Sequence, residues 1–362
     1  MKRYIIPLVI VSAVSLCSTA QTTQKLSTSK ANEYGLTYSL PTTVIDITLE
    51  TTHTTLTPGP FYNYANRYLG ISDVIVEPST TARVTDVVIA PRGVANPNDA
   101  YLVRFKNGTN VSMTLTDSDL PLAINTDILP SVSAPNLPVA RAAAQTPLEG
   151  NAAAQAVTQE MSATSSISKK AQLAAQRIFE LRETRNELLS GQAENMPPDG
   201  QAMKLVMDNI AAQEAALMAM FTGTTSTYTS VNTVTVKPSL ETPDDTIIAR
   251  LSPIKGIVDV ADLSGVPIRF SMSDIVRGQL PLNDKGQPRS FPKGGVAYNI
   301  PGSATVTISV DGQYLDSMPV EISQFGMVFG LDPSLFSDKK NPYYVNFSPI
   351  TGAITKLEAI NE

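Results

Sequence analysis

The chain has 362 residues, with 27 Lys and Arg, 33 Asp and Glu, a formal charge of -6, one His, one Cys and no Trp. With no basic run beyond its first residues, it is not expected to bind nucleic acid. A lone Cys excludes a disulfide framework, and one His beside it excludes the usual His-rich and Cys/His zinc sites.

The N-terminus reads as a leader. Lys2 and Arg3 form a charged region, Tyr4 to Leu16 an apolar run, and Ser18-Thr-Ala20 a small-x-small cleavage site. Residues 1–20 are therefore expected to be a signal peptide, cut between Ala20 and Gln21. Lipidation at Cys17 is the competing reading, although Leu16 is not the small residue such sites favour. No later run approaches the roughly 18 apolar residues of a membrane span, so no transmembrane segment is expected. The chain is placed outside the cytoplasm, in the periplasm or associated with the outer membrane.

Residues 21–125 read as an N-terminal β region. After a polar start comes Gly35-Leu-Thr-Tyr-Ser-Leu-Pro41, then a strand from Val44 to His53. Ile45, Ile47 and Leu49 share one parity, and Asp46, Thr48 and Glu50 the other, the pattern of a half-buried strand. His53, at the end of the apolar parity, is expected to be packed or capping; a triad base or metal ligand is the sharper alternative. Pro58-Gly-Pro60 breaks the chain. Phe61, Tyr64 and Tyr68 then follow helical spacing up to Gly70, as a short helix laid on a sheet or as a surface that stacks a sugar or peptide. Val84 to Ala90 and Tyr101 to Lys106 read as strands. Asn107-Gly108 is a hairpin signal, with Met113 to Ile124 as the return.

Residues 126–167 change character. Pro130, Pro135, Pro138 and Pro147 and two alanine runs leave no lasting apolar period, so a mobile linker is expected, helical near Asn151 to Gln159. Residues 168–223 carry the one long 3.6-residue period. Ala171, Ala174, Ile178, Leu181 and Leu188 line one helix, interrupted by Arg185, with Ser168 as N-cap and Gly191 past its end. Met203, Val206, Met207, Ile210, Leu217, Met218 and Phe221 line a second, capped by Asp199 and ended by Gly223. The short connector through Pro197 and Pro198 makes an antiparallel hairpin.

Residues 224–362 read as a C-terminal β domain. Thr224 to Lys237, Ile247 to Leu251 and Ile268 to Met272 have strand composition. Gly295-Val-Ala-Tyr-Asn-Ile-Pro301 echoes the Gly35 segment, and in both an alternating strand follows a proline that should end one stretch and redirect the chain. Asp311-Gly312 is a type I′ hairpin signal between two strands. Tyr343 to Phe347, a turn at Pro349-Ile-Thr-Gly352 and a closing strand complete the chain.

Several of these stretches carry a resemblance. Tyr38-Ser-Leu-Pro41, Arg67-Tyr-Leu-Gly70, Leu181-Arg-Glu-Thr-Arg185, Phe221-Thr-Gly223, Ala297-Tyr-Asn-Ile-Pro301, Gln324-Phe-Gly326 and Pro349-Ile-Thr-Gly352 make the chain similar to exported proteins of Bacteroidetes grouped as domain-of-unknown-function family 4831. The resemblance implies export, an envelope setting and this strand–helix–strand order; it carries no activity. Because Bacteroidetes attach O-glycans to Ser or Thr after Asp and before an apolar residue, it also makes Thr246 and Ser317 candidate O-glycosylation sites.

No Walker-type loop, dinucleotide fingerprint, Gly-x-Ser-x-Gly, His-Glu-x-x-His or EF-hand loop is present in the sequence. No catalytic, cofactor-binding or metal residue is assigned, and no cofactor is expected. Acids such as Asp86 and Asp117 have nothing to single them out for a hydrolytic pair. The expected fold is α+β and mostly β, with two β-sandwich-like lobes and an antiparallel helical hairpin between them. The expected function is non-catalytic binding or assembly at the envelope or surface, the partner being a protein or glycan there. The alternatives are a carbohydrate-binding or carbohydrate-processing accessory using Phe61, Tyr64 and Tyr68, and then a hydrolase.

Overall fold

A computed structural model describes residues 22–25, 35–105, 111–131, 133–197, 200–241, 245–337 and 342–360. The leader with Cys17, Ala20 and Gln21, the Asn107-Gly108 turn and the Asp199 cap lie outside the described residues. In chain order the elements are β1 (Thr22–Lys25), β2 (Leu36–Thr57), a 3-10 turn (Tyr62–Tyr64), α1 (Ala65–Leu69), β3 (Ser79–Arg104), β4 (Met113–Leu115) and β5 (Pro121–Ile124). Then come α2 (Asn151–Ala156), α3 (Gln159–Ala163), α4 (Ile167–Ser190), α5 (Gln201–Thr222), β6 (Thr224–Val236), β7 (Thr246–Ser252) and β8 (Gly256–Val258). The chain closes with β9 (Val266–Val276), β10 (Val296–Val310), β11 (Gln313–Leu331), α6 (Ser334–Ser337), β12 (Tyr343–Phe347) and β13 (Ile354–Ala359). The fold is α+β and mostly β, as the alternation indicates.

Three antiparallel sheets form, with strand orders β1-β3-β2-β6, β11-β10-β9-β7-β8 and β13-β12-β5-β4. The first two pack face to face. Ile45, Ile47, Leu49 and Ile89 of the first meet Ile268, Phe270, Val306, Ile308 and Ile322 of the second in one core. A second core joins Tyr38, Leu40, Tyr101 and Val103 to Ile124, Val345 and Phe347 of the third sheet and to Val296 and Leu331. Both cores draw on strands from either side of the helical block, and the long strands β2, β3, β10 and β11 contribute to both.

The prolines explain how one strand serves two cores. Pro41 and Pro301 do not end their stretches. They sit inside β2 and β10, beside register shifts at Ser39/Pro41 and Ile300/Gly302. A residue without an N–H is tolerated at a bulge, and a bulge bends the strand. β3 likewise runs as one strand through Pro91 and Pro97, where separate strands at Val84 and Tyr101 were expected. Met113 to Ile124 folds on itself as β4 and β5 and joins β12, rather than returning along Tyr101 to Lys106.

The two bulged segments meet. The Tyr38 hydroxyl accepts from the Ala297 amide at 2.8 Å and donates to the Ala297 carbonyl at 3.1 Å. Asn299 Nδ2 donates to Pro41 O at 3.2 Å and to Thr351 O at 2.8 Å. Thr43 N donates to Ser323 Oγ at 2.9 Å, and Gln324 Nε2 donates to Thr43 O and Pro238 O, each at 2.9 Å. Buried polar groups must be paired, so these bonds fix how the strands cross.

The helices form a third core. Ala171, Ile178, Leu181, Leu217 and Phe221 close the α4–α5 hairpin over Phe61, and Ala156 and Met161 of α2 and α3 complete it. The N-cap of α4 is Ser166, not Ser168; its Oγ accepts from Lys169 N. Gly191 takes the left-handed position at φ 72° that ends α4. Gly200, at φ 80°, holds the N-cap position of α5. Arg185 interrupts the stripe because it faces the other helix. Arg182 Nε at 2.6 Å and Arg185 Nη1 at 2.8 Å grip the two oxygens of Glu214.

The seam is open to test. Tyr38→Phe leaves the Ala297 amide and carbonyl without their partner in a buried site, which lowers the unfolding free energy by about 1–3 kcal/mol. Urea unfolding followed by circular dichroism measures it; an unchanged midpoint would remove the seam from the stability argument.

Candidate functional site

A cleft of about 670 Å³ lies where the three sheets converge. Its walls are Asp46 of β2, the Ile89–Gly93 stretch of β3, the β4–β5 turn from Thr116 to Leu120, Ser133–Pro135, Met318 and the Pro349-Ile350 turn. Gly93 has no room for a Cβ, which would run into the Pro349 carbonyl. That close approach brings the turn against β3 and shapes one wall. The walls are mainly apolar. Their charged feature is the Asp46–Arg92 pair, in which Asp46 accepts from Arg92 Nε at 2.9 Å and Nη2 at 3.3 Å, and also from Thr235 Oγ1 at 2.6 Å. The Arg92 hydrogen bond chiefly, opposed by burial, holds the Asp46 carboxyl below the usual carboxylate range. A carboxylate so held is a poor proton acceptor at neutral pH, and its partner cation is already matched. The cleft thus presents a mainly apolar surface whose Asp46–Arg92 pair is already matched.

His53 lies within β2, 3% exposed. Its ring stacks on Tyr228 with centroids 4.3 Å apart and planes 1° from parallel. Gly256 closes on it, since a Cβ there would stand 2.6 Å from His53 Cε1. Nε2 lies 2.9 Å from Ser230 Oγ, the spacing of a nucleophile and its base. Yet the buried Nδ1 has no hydrogen-bond partner, where a triad would place a carboxylate. The pair is a packed histidine and its serine.

The aromatic residues do come together. Phe61, 6% exposed, tilts against Phe221 at 5.5 Å. Tyr64 and Tyr68 stack 6.0 Å apart, half-buried against the helical core. The Tyr68 hydroxyl pairs with Ser168 Oγ at 3.1 Å, which is what Ser168 does in place of capping. Thr246 and Ser317 stand in strands rather than open loops. Thr246 is half-buried opposite Phe270, and Ser317 is half-buried opposite Thr307.

Two further features were not singled out by sequence. Asp86 and Asp316 line one cleft of about 300 Å³ between β3 and β11, each carboxylate accepting the following backbone amide. On α4, Phe179, Arg182, Glu183 and Asn186 line an open hollow of about 520 Å³ that runs to Gln192. Among the described residues, no group of three or more His, Cys, Asp or Glu is arranged to hold a metal ion, and no helix is long and apolar enough to cross a membrane.

The chain belongs to the family described as a domain of unknown function, DUF4831. The match covers residues 34–355, from the start of β2 into β13. No curated protein and no solved structure matches the chain.

The buried histidine gives the molecule a pH response. Burial holds the His53 imidazole below its ordinary range, whereas an unfolded histidine takes up its proton near pH 6.5. Below that pH the unfolded chain binds more protons, so stability is retained at neutral pH and falls as acid is added. Unfolding free energies measured from about pH 7.5 to about pH 5 should fall more steeply for the native chain than for His53→Phe. Parallel profiles would count against this origin.

Proposed function

We propose that the protein is a non-catalytic, exported component of the cell envelope or surface that works by binding or assembly, and that the helical arm meets its partner. Export rests on the charged-then-apolar start and the Ser18-Thr-Ala20 cut site, with lipidation at Cys17 as the other route. The Bacteroidetes setting rests on the resemblance alone.

The observation that carries the reading is the outer face of the arm. Phe179 is 51% exposed, and Leu189 and Leu205 are each 70% exposed. Phe179 stands with Arg182, Glu183, Asn186 and Glu187 in the hollow on α4, Leu189 lies further along α4, and Leu205 is on α5. Large apolar side chains among arginine and acids make the mixed surface from which protein interfaces draw their anchors. The face is also stiff. Glu214, gripped by two arginines, and the apolar core beneath fix both helices before any partner arrives, so binding pays little ordering entropy. A protein partner fits this surface better than a glycan, because it offers one phenylalanine, two leucines and charged groups rather than paired aromatic planes.

A photocrosslinking side chain placed at Phe179 or Leu189 in intact cells, followed by envelope fractionation, tests this. An adduct in the envelope fraction that Leu205→Lys weakens severalfold is the expected result. Recovery of uncrosslinked soluble monomer alone would overturn the reading.

A further inference from the structure

The two sides of the first sheet are guarded differently. At one side the chain lays its own β1 along β3, Thr22 to Lys25 opposite Arg104 to Tyr101. At the other side stands β6. Its inner edge pairs with β2 at every position from Thr224 to Val236, with no register shift. Its outer edge carries a single bridge among the described residues, to Arg141. Thr229 N donates to Arg141 O at 2.9 Å, and Arg141 N donates to Thr229 O at 3.2 Å. The backbone groups of Thr229 therefore point outward. By strand alternation so do those of Thr225, Thr227, Val231, Thr233 and Thr235.

Proteins protect such an edge with charge, proline, a bulge or a short strand. β6 has none of these. It runs thirteen residues, Thr-Thr-Ser-Thr-Tyr-Thr-Ser-Val-Asn-Thr-Val-Thr-Val, with no charged residue and no proline. Its protection is the passing segment around Arg141, where Val139 is 73% exposed, held at this edge by that one bridge.

We infer that β6 is a dimerisation edge: it pairs antiparallel with β6 of a second copy, displacing the segment around Arg141. Three observations select a second copy. The strand is uncharged, so it meets itself without like-charge repulsion. Its Thr and Val side chains form favourable cross-strand pairs with one another. The other side of the sheet is guarded by its own sequence, since β3 carries Arg83, Asp86, Pro91, Arg92, Pro97 and Asp99, so an isologous β6–β6 contact stops at two rather than growing into a filament. The Arg141 bridge is itself antiparallel, which is the sense a two-fold axis requires. Two main-chain bonds to Arg141 are exchanged for a ladder, so the segment sets the affinity without blocking the edge outright. The inference concerns the sheet alone and stands whether or not the helical arm has a partner.

Sedimentation equilibrium of the full chain across micromolar concentrations tests it with three variants. Val231→Pro removes one outward N–H and leaves the bonds to β2, so the dimer should weaken at least about tenfold. Thr227→Lys, at an exposed position, keeps the backbone intact and should weaken the dimer at low salt. Arg141→Pro removes the donor that holds the segment to Thr229 and should tighten the dimer. Dimerisation of the native chain or of Arg141→Pro that either edge variant weakens supports the inference, with unchanged circular dichroism excluding misfolding. Monomer throughout, including Arg141→Pro, overturns it. So does a dimer indifferent to both edge variants, or assembly beyond two.

Discussion

The structure depends on the meeting of two proline-bulged strands. β2 and β10 each begin in the core under the third sheet and continue into the face-to-face sandwich. Each bends where a proline removes a ladder donor. At the bend the backbone groups freed from regular pairing are buried, so something must bond them. Tyr38 serves Ala297, Asn299 serves Pro41 and Thr351, and Thr43, Ser323 and Gln324 serve one another. Without these polar bonds, apolar burial alone would leave the crossing angle free, because hydrophobic contact is not directional.

The same seam accounts for the order of the chain. β6 follows α5 through Gly223 and returns along β2, while β4 and β5 join β12 and β13 near the end. The hairpin is therefore an excursion between strands that must find one another afterwards. Its own core, from Phe61 to Phe221, is separate from the two β cores. The excursion leaves from β5 of the third sheet and ends in β6 of the first, with Gly59 so close to the Met220 carbonyl that a Cβ has no space there.

Local physics was legible in the sequence, and pairing was not. Period two placed Ile45, Ile47 and Leu49 on one face, period 3.6 placed Ile178 and Leu181 on another, and Asp311-Gly312 marked its turn, with φ 49° and 77°. These depend on neighbours in sequence. What failed depends on neighbours in space. Pro41 reads as a stop until Asn299 is seen to satisfy its carbonyl. Arg185 reads as a flaw in the stripe until Glu214 arrives from the other helix. Ser168 reads as a cap until Tyr68 takes its hydroxyl. The converging cleft was illegible for the same reason, since Asp46, Leu120, Met318 and Ile350 come from four separate stretches. The echo of Gly35–Pro41 in Gly295–Pro301 was the one long-range signal available, and it marks the two segments that touch.

A chain with a single cysteine has no internal disulfide, so its sheet edges are held by other means. Here the two edges of the first sheet are treated differently. On the β3 side, β1 adds four consecutive residue pairs and an ion pair from Lys25 to Asp99 at 2.8 Å, and β3 itself carries charges and two prolines. The β6 edge is crossed at one residue. A surface meant to stay solvated would gain from one lysine at an exposed position or one proline at an outward-facing position such as Thr227 or Val231, and either would cost the β2 ladder little. Their absence is economical only if the outward row of N–H and C=O groups is used. The helical arm shows the opposite economy. Its exposed Leu and Phe side chains stand on helices that also carry half-exposed Arg and exposed Glu, so its apolar area is broken up by charge.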